Sequence, residues 1–407
     1  VLLGLDRICA VLDRLGNPER RPFTVQIAGT NGKGSTAAMT EAILRELGYR
    51  TGLYTSPHLC RFTERIRIDG READGDRLAE LDLAIAAAAR SAGVPLTYFE
   101  IATALAFQAF ADAGVEVAVL EVGLGGRLDA TTAAAPVATA ITGIALDHTD
   151  VLGDTVEEIA REKAGIARPG VPLLLGAMPP AAELAIAEVA RNVGAPVLRV
   201  GTDFRGPPVA PALALAGAHQ AANAALAAAL ARAAARAAGR PFEDDGADAA
   251  AVARGLAAVI WPGRLERVGD VLLDCAHNPD GARALAAALD ALPPGRRALV
   301  FSVVAGKDAR SMLAALGPRW DRVIATRSRN PRALPPETLA ALAGPSTVTA
   351  ADPVAALAAA RQAAGPGGMV VVAGSVFLVG EVRAALLGEP MDPISTSDPL
   401  PPMEVKR

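Results

Sequence analysis

Gly29-Thr30-Asn31-Gly32-Lys33-Gly34-Ser35-Thr36 places three glycines, one lysine and two adjacent hydroxyls within eight residues. Glycines let a backbone curl until its N–H groups converge on one anion, and a helix N-terminus adds partial positive charge. Lys33 has the reach for outer phosphates, and Ser35 or Thr36 can touch a Mg²⁺ ion. The spacing departs from the common phosphate loop: the lysine comes four residues after Gly29, and Gly34 separates it from the hydroxyls. An ordinary strand-to-helix turn is the bland alternative, against which the lysine and hydroxyls weigh.

Other residues could join this chemistry. Glu121 ends an apolar run and is followed by Val122-Gly123-Leu124-Gly125-Gly126-Arg127-Leu128-Asp129-Ala130-Thr131. A carboxylate at a strand end is a usual way to present a Mg²⁺ ligand at a sheet's carboxyl edge; a strand-end charge facing water is the alternative. Thr55-Ser56-Pro57-His58-Leu59 would pass for a surface loop if it stood alone. On residue type alone, His148 in Asp147-His148-Thr149-Asp150 is a loop or capping histidine, and Lys163 is a helix-surface lysine. Tyr98 and Phe99 are adjacent aromatics in a chain with 3% aromatic residues, so they either stack on a flat heterocycle or join the core.

The elements that must position these residues alternate. Strands are expected at Thr24–Ala28, Thr51–Thr55, Val115–Val122, Val137–Thr142 and Val171–Leu175. Helices are expected at Ala37–Leu47, Asp76–Arg90, Phe99–Ala111, Thr155–Ile166 and Ala181–Asn192. That order predicts an α/β fold with a mostly parallel sheet covered on both faces, and ligands at the strands' carboxyl ends. The loops of Gly29, Ser56 and Glu121 can then share one crevice. The alanine-rich stretch Leu213–Ala238 reads as a close-packed helix with His219 and Asn223 on one face.

Trp261-Pro262-Gly263-Arg264 marks a boundary, after which strands and helices alternate afresh to about Leu387. The expected division is residues 1–262, a smaller Rossmann-like α/β domain over 263–387, and an extended or disordered tail over 388–407. A net charge of −4 argues against a general nucleic-acid or membrane-surface binder. No apolar run is long enough to span a bilayer. Cys9, Cys60 and Cys275 are widely separated, which suggests neither a disulfide framework nor a zinc site. A reducing, cytoplasmic setting is expected.

The core GTNGKGST resembles the ATP loop of the folylpolyglutamate synthase and dihydrofolate synthase family, within the wider Mur ligase group. Further blocks fall in order. They are Ser56-Pro57-His58-Leu59, Thr97-Tyr98-Phe99-Glu100, the Glu121–Thr131 stretch, the Asp147-His148 and Lys163 blocks, His219-Gln220 with Asn223, Pro262-Gly263-Arg264, Asp274 to Pro279, Lys307-Asp308 and Gly374-Ser375. Thr132 stands where the family pattern has Asn.

The resemblance implies a two-domain ligase that makes an amide from a carboxylate through an acyl phosphate. Its substrates would be ATP, L-glutamate and either dihydropteroate or a reduced folate, and the molecule would be a monomer. ATP would be held by Gly29 to Thr36, Asn223, Arg264 and Asp274. Ser56 and Glu121 would bind one Mg²⁺; His148 and a CO₂-derived carbamate on Lys163 would bind a second. Lys33, Lys163 and His148 would be catalytic. Thr97, Tyr98, Phe99, Glu100, Gly126, Arg127 and Leu128 would contact the pterin or its benzoate linker, and His277 and Ser375 the incoming glutamate. A Mur-type peptidoglycan amino-acid ligase is the enzymatic alternative, although a loop near residue 29 leaves no room in this sequence for its UDP-binding domain. A catalytically silent ATP-binding protein is the other.

Overall fold

The structure is a computed structural model that describes residues 4–204, 213–240, 242–243 and 245–393. Strands β1 (Phe23–Ala28), β2 (Thr51–Tyr54), β3 (Ile66–Ile68), β4 (Arg71–Glu72), β5 (Val117–Glu121), β6 (Pro136–Ile141), β7 (Leu173–Leu175) and β8 (Val197–Arg199) form one sheet. Its order is β4-β3-β2-β5-β1-β6-β7-β8. The pairings among β2, β5, β1, β6, β7 and β8 are parallel, and the β2–β3 and β3–β4 pairs are antiparallel. The run β1 to β2 crosses to one side of β1, and β5 to β6 crosses to the other. The loops after β1, β5 and β6 therefore meet at a topological switch point, where α/β sheets bind ligands.

The β1 strand is buried along almost its whole length, its polar Thr24 and Gln26 included, as a central strand covered on both faces must be. Gly29 follows it at φ +147°, and a Cβ there would stand 1.9 Å from Thr142 Oγ1. Gly32 at φ +86° then opens the helix Lys33–Glu46. Left-handed φ of this kind is cheap for glycine alone. The alanine-rich helix packs against Lys33–Glu46 through Ala224, Ala227, Ala231 and Ala234. It runs over Gln220–Ala237, shorter than expected at its start, because Gly217 at φ +104° breaks the helical path and His219 becomes the N-cap. A further helix, Gly246–Ala258, lies on the same partner and was not expected from the sequence.

The second sheet holds β9 (Glu266–Val268), β10 (Val271–Leu273), β11 (Arg297–Phe301), β12 (Arg322–Ala325), β13 (Thr347–Thr349) and β14 (Met369–Ala373). Its order is β13-β12-β11-β14-β10-β9, parallel except for β9 against β10. Separate apolar cores lie on its two faces. Both sheets thus have the mostly parallel α/β character that the alternation predicts. Of the tail expected over 388–407, residues 394–407 lie outside the described residues. Among the described residues, no helix is long and apolar enough to cross a membrane.

Candidate active site

The Gly29–Thr36 loop is held in place by contacts of its own. Lys33 Nζ donates to the carbonyls of Gly29 (3.1 Å) and Thr30 (3.2 Å), so its ammonium lies over the curled backbone. Thr30 N–H donates to Gly143 O at 2.8 Å, which ties the loop to the segment after β6. Asn223 lies against the loop: its Oδ1 is 2.7 Å from where a Gly32 Cβ would stand. Its amide donates to Gln220 Oε1 at 2.9 Å, which fixes its orientation.

A small recess beside the loop is lined by Gly34, Ser56, Glu121, Trp261 and Arg264, among others. Glu121 ends β5 and is 6% exposed. Its Oε2 accepts the Ser56 N–H at 3.1 Å. Burial raises its pKa, and the charge of Lys33 and the Ser56 bond oppose that rise. A buried carboxylate and a serine lining one recess offer the hard oxygen donors that Mg²⁺ takes, and phosphate oxygens complete such sites. Among the described residues, no group of three or more His, Cys, Asp and Glu side chains forms a metal cage.

Asp274 accepts N–H groups from Leu265 (3.0 Å) and Ala276 (2.9 Å). Burial raises its pKa, and the Arg264 charge works against that. Arg264 also faces Glu121, so it lies between acids of the two domains. Burial lowers the pKa of His219, which feels both Asp274 and Arg264.

On the other side of the loop, Lys163 is 5% exposed near the end of the helix Val156–Ala164. Burial, then the charge of Lys33, pushes its pKa down to about 7. It is therefore not the surface lysine that its residue type suggests. His148 sits at φ +51° ahead of a one-turn helix, and burial followed by the Lys307 charge lowers it to about 4. A pKa that low favours the neutral imidazole at pH 7, whose unprotonated nitrogen can accept from a donor or bind a cation.

The sequence did not single out Asp147 or assign a role to Lys307. Asp147 forms an ion pair with Lys307 of the second domain and also lies 3.6 Å from His277 Nε2. Lys307 Nζ in turn lies 3.2 Å from His148 Nε2. Burial pushes Asp147 up, but the His277 contact and the Lys307 charge outweigh it and hold the carboxyl well below its ordinary range. Asn278 donates to Asp147 Oδ2 (3.1 Å) and to Asn31 Oδ1 (2.9 Å). Asn31 donates back to Asn278 Oδ1 (3.2 Å) and to Asp280 (3.0 Å). The side chain of Asn31, a loop residue expected at ATP, thus joins the loop to the second domain and leaves its backbone N–H to the loop.

A cleft of about 370 Å³ lies between the domains. Ser56, His58, Arg65, Tyr98 and Phe99 line one side; His277, Lys307 and Ser375 line the other. Arg65 donates from Nε to His58 Nδ1 at 2.8 Å, and its guanidinium lies 5.4 Å from the Tyr98 ring and 5.8 Å from the Phe62 ring. Burial, then Arg65, lowers His58 to about 4. Ser375 caps the helix Val376–Leu387, so that helix aims its N-terminus at the cleft.

Not every residue expected at the pterin faces this cleft. Thr97 and Glu100 form a capping box for the helix Tyr98–Asp112, and Glu100 also pairs with Arg7 at 3.1 Å. Gly126 packs against the Lys163 carbonyl, and Arg127 pairs with Glu162 at 3.0 Å, so both brace the helix of Lys163. Leu128 is not among the lining residues either. Thr132 has a structural place: its hydroxyl accepts from Gln26 (2.8 Å) and donates to Gly126 O (2.7 Å).

Known proteins resemble this chain in sequence and fold. Residues 27–172 match the Mur ligase middle domain, and residues 263–376 match the Mur ligase glutamate ligase domain. The dihydrofolate synthase/folylpolyglutamate synthase of Mycobacterium tuberculosis is 39% identical over 84% of this chain and 77% of its own. A probable bifunctional folylpolyglutamate synthase/dihydropteroate synthase of Haloferax volcanii is 40% identical over 93% of this chain. The chain spans about half the length of that archaeal relative, 48%. An Escherichia coli structure with DHPP and ADP matches with a TM-score of 0.86 at 35% identity, covering 95% of this chain and 94% of that one. A bifunctional folylpolyglutamate synthase/dihydrofolate synthase structure with Mn, AMPPNP and L-glutamate matches at 0.85 and 37% identity, covering 95% of both chains. The chain belongs to the folylpolyglutamate synthase/dihydrofolate synthase family of Mur ligases.

Proposed function

We propose that the chain is an ATP-dependent ligase that adds L-glutamate to dihydropteroate, to the γ-carboxylate of a reduced folate, or to both. One observation carries the reading: a single interdomain cleft joins an aromatic wall, Tyr98 and Phe99, to Lys307, His277 and the helix N-terminus capped by Ser375, with His148 also on its wall. A flat heterocycle fits the first end and an amino-acid carboxylate the second. Family membership and the ligands of the related structures support it.

In this reading the loop N–H groups and Lys33 hold the outer phosphates of ATP, with Asn223, Arg264 and Asp274 around the rest of the nucleotide. Ser56 and Glu121 would hold one Mg²⁺, and His148 with a carbamate on Lys163 would hold a second; bound there, such ions would supply charge neutralisation while the loop and Lys33 hold the γ-phosphoryl group for transfer to the substrate carboxylate. Tyr98 and Phe99 orient the acceptor so that its carboxylate reaches that phosphoryl group. His277 and the Ser375 helix end position glutamate, whose amine displaces phosphate from the acyl phosphate. Asn31, Asn278, Asp147 and Lys307 hold the domains together and keep water from the acyl phosphate.

Lys163 suits carbamate formation because a pKa near 7 leaves much of its amine neutral at pH 7, able to attack CO₂ and release a proton. The protein is read as a cytoplasmic monomer with residues 1–262 and 263–387 as its domains. The test is ATP- and Mg²⁺-dependent ligation of labelled glutamate, with dihydropteroate and tetrahydrofolate offered in parallel. Product from both assigns a bifunctional enzyme, and product from tetrahydrofolate alone assigns chain extension. Product from neither, with the folded protein binding ATP, refutes the reading.

A further inference from the structure

Beyond the helix Val376–Leu387 the described residues stay on the molecule as far as Asp392. Glu389 N–H donates to Ala384 O at 3.1 Å, which closes the helix end. The Glu389 carboxylate then bridges the domains: Oε2 lies 2.5 Å from Arg383 Nη1 and 3.2 Å from Arg61 Nη1. Arg61 is held in turn by Glu72 at 2.8 Å. Three residues on, Asp392 N–H donates to Cys60 O at 2.8 Å, and Phe62 N–H donates to Asp392 Oδ2 at 2.6 Å. The segment Glu389–Asp392 is thereby stapled at both ends to the loop between Ser56 and Arg65.

This stapling has a consequence for the cleft. Met391, between the two staples, is half-buried and lines it together with Tyr98, Phe99 and Arg65. Asp392 is part of the same wall. Phe62, whose backbone Asp392 holds, packs edge-on to Tyr98 with ring centroids 6.1 Å apart. The strap thus adds a flexible, polarisable thioether to an aromatic pocket, and thioethers contact aromatic faces and edges favourably.

We propose that Glu389–Asp392 is a wall of the acceptor-substrate pocket, with Met391 as a specificity-determining contact and Glu389 and Asp392 as positioning residues. This rests on the proposed ligase reading. A substrate with a flat ring system enters against Met391 on one side and the Tyr98–Phe99 pair elsewhere on the wall. The strap spans the domains, so it also ties acceptor binding to their relative placement.

The experiment uses the full chain. Calorimetry measures the affinities for dihydropteroate, tetrahydrofolate and a non-hydrolysable ATP analogue, and turnover gives KM for each substrate. Met391→Ala is expected to weaken acceptor affinity about three- to tenfold, the loss of one thioether–aromatic contact, with ATP affinity within about twofold. Met391→Leu should restore most of it. Asp392→Ala should raise the acceptor KM in the same way, whereas Asp392→Asn, which keeps an oxygen for the Phe62 N–H, should not. Unchanged acceptor affinity in Met391→Ala overturns the inference while the wild type's activity leaves the ligase reading standing. Equal losses for acceptor and ATP, or a lower melting temperature with no change in KM, make the strap a purely structural brace and also overturn it. A wild type that binds neither acceptor removes both readings together.

Discussion

Replacing Lys163 with methionine keeps much of the side chain's length and removes its amine. In the folded protein burial lowers that amine's pKa from 10.5 to about 7. At about 1.4 kcal/mol per pH unit, the difference amounts to about 5 kcal/mol of stability withheld from the folded state at pH 7 and below. The sign follows from proton counts. Between pH 7 and 10.5 the unfolded chain holds a proton that the folded chain has released, so stability rises with pH across that window. Above 10.5 both states are neutral and the penalty is gone. Lys163→Met should therefore be more stable than the wild type by about 2–4 kcal/mol at pH 7, after some loss from imperfect repacking. The gap should shrink toward zero by pH 10. Urea denaturation in CO₂-depleted buffer, at pH 7 and at pH 10, measures it. Added bicarbonate should then stabilise the wild type, because a carbamate forms only in its folded state, and leave the variant unmoved. The variant should also be nearly inactive. A variant less stable than wild type at pH 7, or a gap of equal size at pH 10, refutes the account of a proton-poor, buried lysine held for function at a cost in stability.

Other consequences can be tested with single substitutions. Glu121→Ala should lose about a hundredfold or more in Mg²⁺-dependent turnover with an unchanged far-ultraviolet spectrum, since a metal-held carboxylate stabilises several kcal/mol of transition-state charge; near-normal activity removes Glu121 from the metal site. Asp147→Asn strands the Lys307 ammonium, whose side chain is only 11% exposed, and should cost about 3 kcal/mol in denaturant unfolding. Lys307→Met in the same background should recover part of that loss, and no recovery separates the two residues. Turnover in bicarbonate should rise as pH increases through about 7, where Lys163 loses its proton, with no inflection from His148 above pH 5 because its pKa is about 4; a profile flat from pH 6 to 8 contradicts that assignment.

What the sequence makes legible is what a few neighbouring residues decide. The glycine turn after β1, Glu121 at its strand end and most of the first sheet follow from local pattern, because a glycine turn or an apolar strand needs little from the rest of the chain. The capping role of Thr97 and Glu100 was also readable, since Thr-x-x-Glu before an apolar run is a capping-box pattern. The remainder depends on partners far apart in sequence. Asp147 meets Lys307 across 160 residues, Asn31 meets Asn278 across 247, and Phe62 meets Asp392 across 330. No periodicity encodes such pairs. Their common property is that each crosses between the two sheets, so each forms only once both domains are folded and docked. In the proposed reaction the acyl phosphate survives only where that docking excludes water. The residues that sequence reading missed are therefore concentrated at the domain junction, which the chemistry needs closed.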